Sequence, residues 1–134
     1  MKYVVLIYND PQALAALDAG QADAMMEECL AHAETMRQDG HLLEAVKLPP
    51  PEAATSLRMR NGRLQTTDGP FAETKEQLGG FMLLEAKDLN EAIRLASAVP
   101  WARTGCLEVR PLPAFAEFAP HAHFSLPPEI GATT

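Results

Sequence analysis

The sequence predicts an α+β domain of the ferredoxin-like kind, in the order β-α-β-β-α-β, with an extra hairpin between its halves. Three observations carry this reading. Two helical stretches with one apolar stripe each lie between runs of β-branched and aromatic residues. An Asn61-Gly62 pair separates two short alternating runs. The 134 residues, 47% of them hydrophobic and 22% charged, suffice for one globular domain and show no repeat or linker that would divide it.

Tyr3 to Tyr8 is rich in β-branched and aromatic residues and reads as a buried central strand. Asp10 caps a short helix with Pro11 at its first position. After an interruption at Gly20, a longer helix is expected from Gln21 to Gln38. Met25, Cys29, His32 and Met36 form one stripe of it, widened by Met26, Leu30 and Ala33, while Glu27, Glu28, Glu34 and Asp39 face outward. Gly40 suits the left-handed residue that ends such a helix. His41 to Leu48 is a second strand, stopped by Pro49-Pro50-Pro51.

Thr55 to Arg60 and Arg63 to Thr67 flank Asn61-Gly62, the pair favoured in two-residue type I′ hairpins. That turn opposes Arg60 to Arg63, Met59 to Leu64, Arg58 to Gln65 and Leu57 to Thr66. One face is then apolar, and the other carries three arginines that point to solvent. Gly79 to Ala86 is a further strand. Asp88 caps the next helix, with Leu89, Ala92, Ile93 and Ala96 as its buried stripe. Cys106 to Leu112 is the last strand, with Cys106, Glu108 and Arg110 on one face. Helices covering one side of this sheet leave the other side apolar, and a second copy of the chain is the economical cover.

Eleven Lys and Arg against eighteen Asp and Glu give a net charge of −7, so nucleic acid and anionic membrane are not expected partners. The first 50 residues hold three basic and eight acidic side chains, mostly a solvated helix surface. No apolar run approaches the ~20 residues of a membrane span, and none resembles a signal-peptide core, so a cytoplasmic location is expected. Cys29 and Cys106 form no disulfide framework and read as small buried apolar residues. No metal site or other cofactor is expected, because His121 and His123 stand in a proline-rich tail without spaced carboxylates or thiols.

The segment most able to carry chemistry runs from Thr67 to Phe81. Asp68-Gly69-Pro70 is turn chemistry, with Asp bonding its own backbone. Phe71 offers an anchor for the loop, and Gly79-Gly80 at a strand entrance suggests a bulge or the close approach of another backbone or a ligand. Thr67-Asp68-Gly69-Pro70-Phe71-Ala72-Glu73-Thr74-Lys75-Glu76-Gln77-Leu78-Gly79-Gly80-Phe81 resembles the signature of the DGPF-domain branch of the YCII-related family. The resemblance extends to Lys2-Tyr3, Arg58-Met59-Arg60-Asn61-Gly62, Asp88-Leu89-Asn90-Glu91-Ala92 and Glu108-Val109-Arg110-Pro111. It spans residues 1–115 and leaves 116–134 as the tail.

This resemblance implies a dimeric α+β barrel with pockets between sheet and helices. It also implies a functional link to extracytoplasmic sigma factors, next to which some DGPF proteins are encoded. In the wider family a helix His and an Asp before a Pro-aromatic pair are the proposed catalytic dyad, and one relative removes chloride from a chlorinated hydroxyquinol. Those positions hold Cys29 and, before Pro100-Trp101, Val99, so the dyad does not carry over. His32 lies one turn further along the same stripe.

The candidate site residues are therefore Asp68 and Glu73 as acid, base or ion-pair partners, with Arg58, Lys75, Arg110 and His32 as ligand-binding groups. The expected function is a homodimer that binds an unidentified small molecule near the DGPF loop, in a regulatory capacity. The alternatives are a lyase or isomerase using Asp68 or Glu73 as proton carrier, and a structural domain in which the motif only holds the loop.

Overall fold

Strand β1 (Lys2–Asn9) runs through the middle of a four-stranded antiparallel sheet. The computed structural model describes residues 1–113, and the expected tail, 116–134, lies outside the described residues. Along the chain come α1 (Pro11–Ala15), α2 (Ala19–Gln38), β2 (Leu42–Lys47), β3 (Thr55–Arg60), β4 (Arg63–Asp68), β5 (Gln77–Glu85), α3 (Leu89–Ser97) and β6 (Gly105–Leu112). Short 3₁₀ turns occupy Pro51–Ala53 and Pro100–Arg103. The sheet order is β2-β5-β1-β6, and β3 and β4 pair separately as the inserted hairpin. This is the ferredoxin-like arrangement that the order of elements predicts. No helix among the described residues is long and apolar enough to cross a membrane.

Strand period decides where the core forms. Tyr3, Val5 and Ile7 of β1 and Met82 and Leu84 of β5 point to the helices and are buried, while their neighbours alternate to the open face. Met36 of α2, Ala92, Leu95 and Ala96 of α3, and Val99 close the same core. The stripe of α3 is thus rotated from the expected one. Leu95 is buried, whereas Leu89 and Ile93 are 46% and 49% exposed, because only the 92–95–96–99 row faces a sheet it shares with the longer helix. Leu30, expected on the apolar face of α2, is likewise exposed. Cys29 is half-buried, and Cys106 is exposed on the open sheet face rather than buried.

Local capping follows the sequence closely. Asp10 Oδ1 accepts from Gln12 N at 2.9 Å, and Asp88 Oδ1 from Glu91 N at 2.9 Å. Helix α2 begins two residues earlier than expected. Asp18 accepts from Gln21 N while Gln21 Oε1 accepts from Asp18 N, a capping box that takes Gly20 into the helix. Gly40 ends the helix at φ 79°, and His41 N donates to Met36 O at 2.8 Å. The hairpin pairs as expected, Arg60 with Arg63 through Leu57 with Thr66, and Asn61 and Gly62 both take positive φ. Its apolar residues Leu57, Met59 and Leu64 are all exposed in the single chain.

Arg103 clamps the 3₁₀ turn before β6 to α2 by two bonds to the Glu28 carboxylate, at 2.9 and 2.7 Å. The hydrogen bonds from Arg103 hold the Glu28 carboxyl below its usual range. A lowered folded-state value means that the bridge stabilises above the ordinary carboxylate pKa and is lost as pH falls through the lowered one. Glu28→Gln is therefore expected to lower the urea midpoint at neutral pH, by a difference that closes in acid and narrows in high salt. A constant difference across that pH range would contradict the assignment.

Candidate functional site

One end of the sheet gathers the chemistry. Strands β1 and β2 end there, β5 and β6 begin there, and the DGPF loop crosses beside them. Two neighbouring cavities open at this end. The first, of about 650 Å³, lies between the end of β1 and α1 (Asn9, Pro11, Leu14), the segment Lys47 to Glu52, and the entry of β5 (Gln77, Leu78, Gly79). The second, of about 520 Å³, is bounded by Asp68-Gly69-Pro70, Glu73-Thr74, Pro51-Glu52 and Gln77. They share Pro51, Glu52 and Gln77. The first is walled mainly by Leu and Pro side chains, and the second carries three carboxylates, Glu52, Asp68 and Glu73.

The loop reaches this position through backbone constraints. Gly69 adopts φ 93°, which disfavours any side chain there. Its N–H donates to Ala54 O at 2.7 Å, and Ser56 Oγ donates to Gly69 O at 2.8 Å. These two bonds tie the turn to the start of β3. Ser56, rather than the Asp68 carboxylate expected to close its own turn, supplies the side-chain bond. Asp68 is instead exposed at the cavity edge, together with Glu73. Further on, Thr74 Oγ1 donates to Glu76 O at 2.5 Å. Phe71 is 79% exposed, so the loop is pinned by its backbone and not by the expected aromatic anchor.

Of the residues singled out from the sequence, the fold brings Asp68 and Glu73 to one cavity. Lys75 stands beside it but reaches 3.9 Å from Asp10 Oδ2, at the cap of α1. Arg58 lies on β3 of the hairpin, exposed, and lines neither cavity. Arg110 pairs with Glu108 two residues before it on β6, opposite Val4 and Leu6 of β1. His32 faces α3, and its Nε2 donates to the Leu95 carbonyl at 3.0 Å. That bond fastens α2 to α3, and neither cavity is lined by His32. Among the described residues no three His, Cys, Asp or Glu side chains gather as metal ligands.

Asn9 and Glu52 belong to the site outside any motif, whereas Gln77 lies within the signature run. Asn9 ends a strand and Glu52 follows three prolines, so neither sits in a recognisable pattern. The one local signal was Gly79-Gly80. A Cβ on Gly79 would meet Asn9 Nδ2 at 2.0 Å, and one on Gly80 would meet Val46 O at 2.6 Å. Both glycines therefore mark the close approach their position suggests.

A family model described as the YCII-related domain matches residues 1–116. An uncharacterised protein of Rhizobium meliloti (strain 1021) is 40% identical over 114 residues, which span 84% of this chain and 92% of that protein. The structure is also similar to 5-chloro-2-hydroxyhydroquinone dehydrochlorinase from Burkholderia phenoliruptrix AC1100, solved with 2,5-dihydroxybenzoquinone. The TM-score is 0.49 at 15% identity, covering 87% of this chain and 98% of that one.

Ser56→Ala removes the side-chain bond that holds the DGPF turn. It is expected to cost roughly 1 kcal/mol of stability and to speed hydrogen exchange at Gly69, measured by denaturant titration and exchange NMR. Unchanged exchange at Gly69 would mean that the turn is held elsewhere.

Proposed function

The chain belongs to the YCII-related family, and on that premise we propose that it is a homodimeric small-molecule-binding domain with a regulatory role, its pocket beside the DGPF loop. The observation that carries the reading is the cavity of about 520 Å³ between Asp68-Gly69-Pro70 and Pro51-Glu52. It is formed by a glycine-dependent turn whose backbone is tied down and whose carboxylates are left to face the cavity. The hydrogen bonds of this loop run between backbone and hydroxyl groups, Ser56 and Thr74, rather than between titratable side chains. A proton carrier works best when a second group orients it, and this geometry favours binding over catalysis. Two carboxylates on one cavity support the second reading, a lyase or isomerase in which Asp68 or Glu73 moves the proton.

The dimer is supported by the open face of the sheet. Val4, Leu6 and Tyr8 of β1 and Phe81 and Leu83 of β5 lie on it, side by side and half-buried, with none of the helices among the described residues packed on them. A contiguous apolar surface of this kind on a small domain marks an interface. The matching face of a second copy is the cover we propose.

Two measurements test the proposal. Light scattering is expected to give twice the 14.6 kDa chain mass, and Leu6→Lys with Phe81→Glu is expected to give the monomer. A wild-type chain that is monomeric at working concentration would exclude the dimer. A ligand found by thermal shift is expected to bind Asp68→Asn and Glu73→Gln within a few-fold of wild type and to be recovered unchanged by NMR. Conversion of that ligand by wild type, abolished in Asp68→Asn or Glu73→Gln, would establish the enzyme instead.

A further inference from the structure

The larger cavity contains a polar group that the fold seats with care and leaves unpaired. The ladder between β1 and β5 shifts at Ile7 and Tyr8: Ile7 pairs with Gly80 and Tyr8 with Leu78, so Gly79 is passed over as the extra residue of a bulge. The Asn9 carboxamide lies across this bulged glycine, in the space any Cβ would fill, 2.0 Å from Nδ2. The Asn9 backbone is held on both sides, paired with Gln77 of β5 and Gly105 of β6. The base of the side chain is therefore fixed by the central strand of the sheet.

Its oxygen is not satisfied. Asn9 Oδ1 is buried and has no hydrogen-bond partner among the described residues. A buried acceptor left this way is destabilising, and such a defect calls for a reason beyond packing. Thr104 Oγ1 is buried without a partner as well, but Thr104 does not line the cavity and Asn9 does. As placed, Oδ1 has no accessible surface; the torsion at the end of an Asn side chain is broad, and a half-turn exchanges Oδ1 with Nδ2, setting the oxygen over Gly79, itself a wall of the cavity. Around Asn9 the walls are Leu14, Leu48, Pro50 and Leu78, and the two charges at the rim, Lys47 and Glu52, are opposite in sign. The cavity thus offers a largely apolar wall, no net charge, and two carboxamides, Asn9 and Gln77, of which Asn9 is fixed at its base by the central strand.

We propose that this cavity binds a compact, uncharged apolar molecule through a hydroxyl that donates to Asn9 Oδ1. This deepens the small-molecule reading, on which it rests, by naming the ligand class and the residue that orients it. The apolar body lies against Leu14, Leu48 and Leu78. The shared wall at Glu52 and Gln77 directs whatever extends from it toward the DGPF loop. Gly79 takes part by leaving room for the carboxamide.

The test uses the full-length, ¹⁵N-labelled chain and two probes of matched shape, benzyl alcohol and benzyl methyl ether. Benzyl alcohol is expected to shift the Asn9 side-chain NH₂ signal and the Leu14, Leu78 and Gly79 amides saturably, and to bind about three- to tenfold tighter than the ether, the worth of one neutral hydrogen bond. Asn9→Ala is expected to reduce the alcohol to the affinity of the ether and to leave the ether unchanged. Gly79→Ala keeps the carboxamide but displaces it, and is expected to do the same, which covers the case of an unstable Asn9 variant. Equal binding of the two probes, or no saturable shift at these residues, overturns the proposal. Shifts confined to Asp68–Thr74 also overturn it while leaving the binding reading of the DGPF loop intact.

Discussion

The pairing of β1 with β5 on one side and β6 on the other is the interaction from which the rest of the structure follows. A central strand has every ladder position occupied, so its register sets which side chains face the helices. Tyr3, Val5 and Ile7 face inward, and the partners across the ladder must alternate in phase with them. The same strand carries the register to its far end at Asn9, where the bulge at Gly79 breaks the phase. Core and candidate site are thereby two ends of one ladder. The regular end buries apolar surface, and the irregular end opens a cavity.

Two helices cannot cover both faces of a four-stranded sheet, and that geometric limit leaves one sheet face open. Helices α2 and α3 occupy one face and meet each other through His32 and the Leu95 carbonyl. His41 joins the end of α2 to β5, its Nδ1 donating to Glu85 O at 2.8 Å. Both imidazoles are thus fastened to carbonyls that hold helices and sheet together. The open face is left to Val4, Leu6, Tyr8, Phe81 and Leu83, crossed by the Glu108–Arg110 pair of β6. An ion pair on an apolar face costs desolvation if it is covered, so its placement near the β6 edge limits where the proposed second copy sits.

The signature loop was legible as a motif but not as a geometry. Asp68-Gly69-Pro70 announces a turn, and Gly69 does take positive φ. Which groups close that turn depends on Ala54 and Ser56, more than ten residues earlier and across a hairpin. Phe71 reads as an anchor because aromatic residues generally bury, yet nothing in the described chain reaches it. Asn9 had no motif at all. Its significance comes from lying over a glycine seventy residues away, a contact that only strand pairing creates.

Features that depend only on neighbours along the chain are readable from the residues alone: the strands and helices, the caps at Asp10 and Asp88, the Asn61-Gly62 turn with its register, and the family signature. These rest on backbone preferences and side-chain periods that act within a few residues. Tertiary structure decided which faces of those elements are used. It rotated the stripe of α3 onto Leu95, exposed Leu30 and Cys106, turned His32 to a carbonyl, and brought Asn9, Glu52, Gln77 and Asp68 to one end of the sheet. Burial and proximity are set by the packing of elements distant in sequence, and a local pattern shows that a face is apolar without showing what, if anything, covers it.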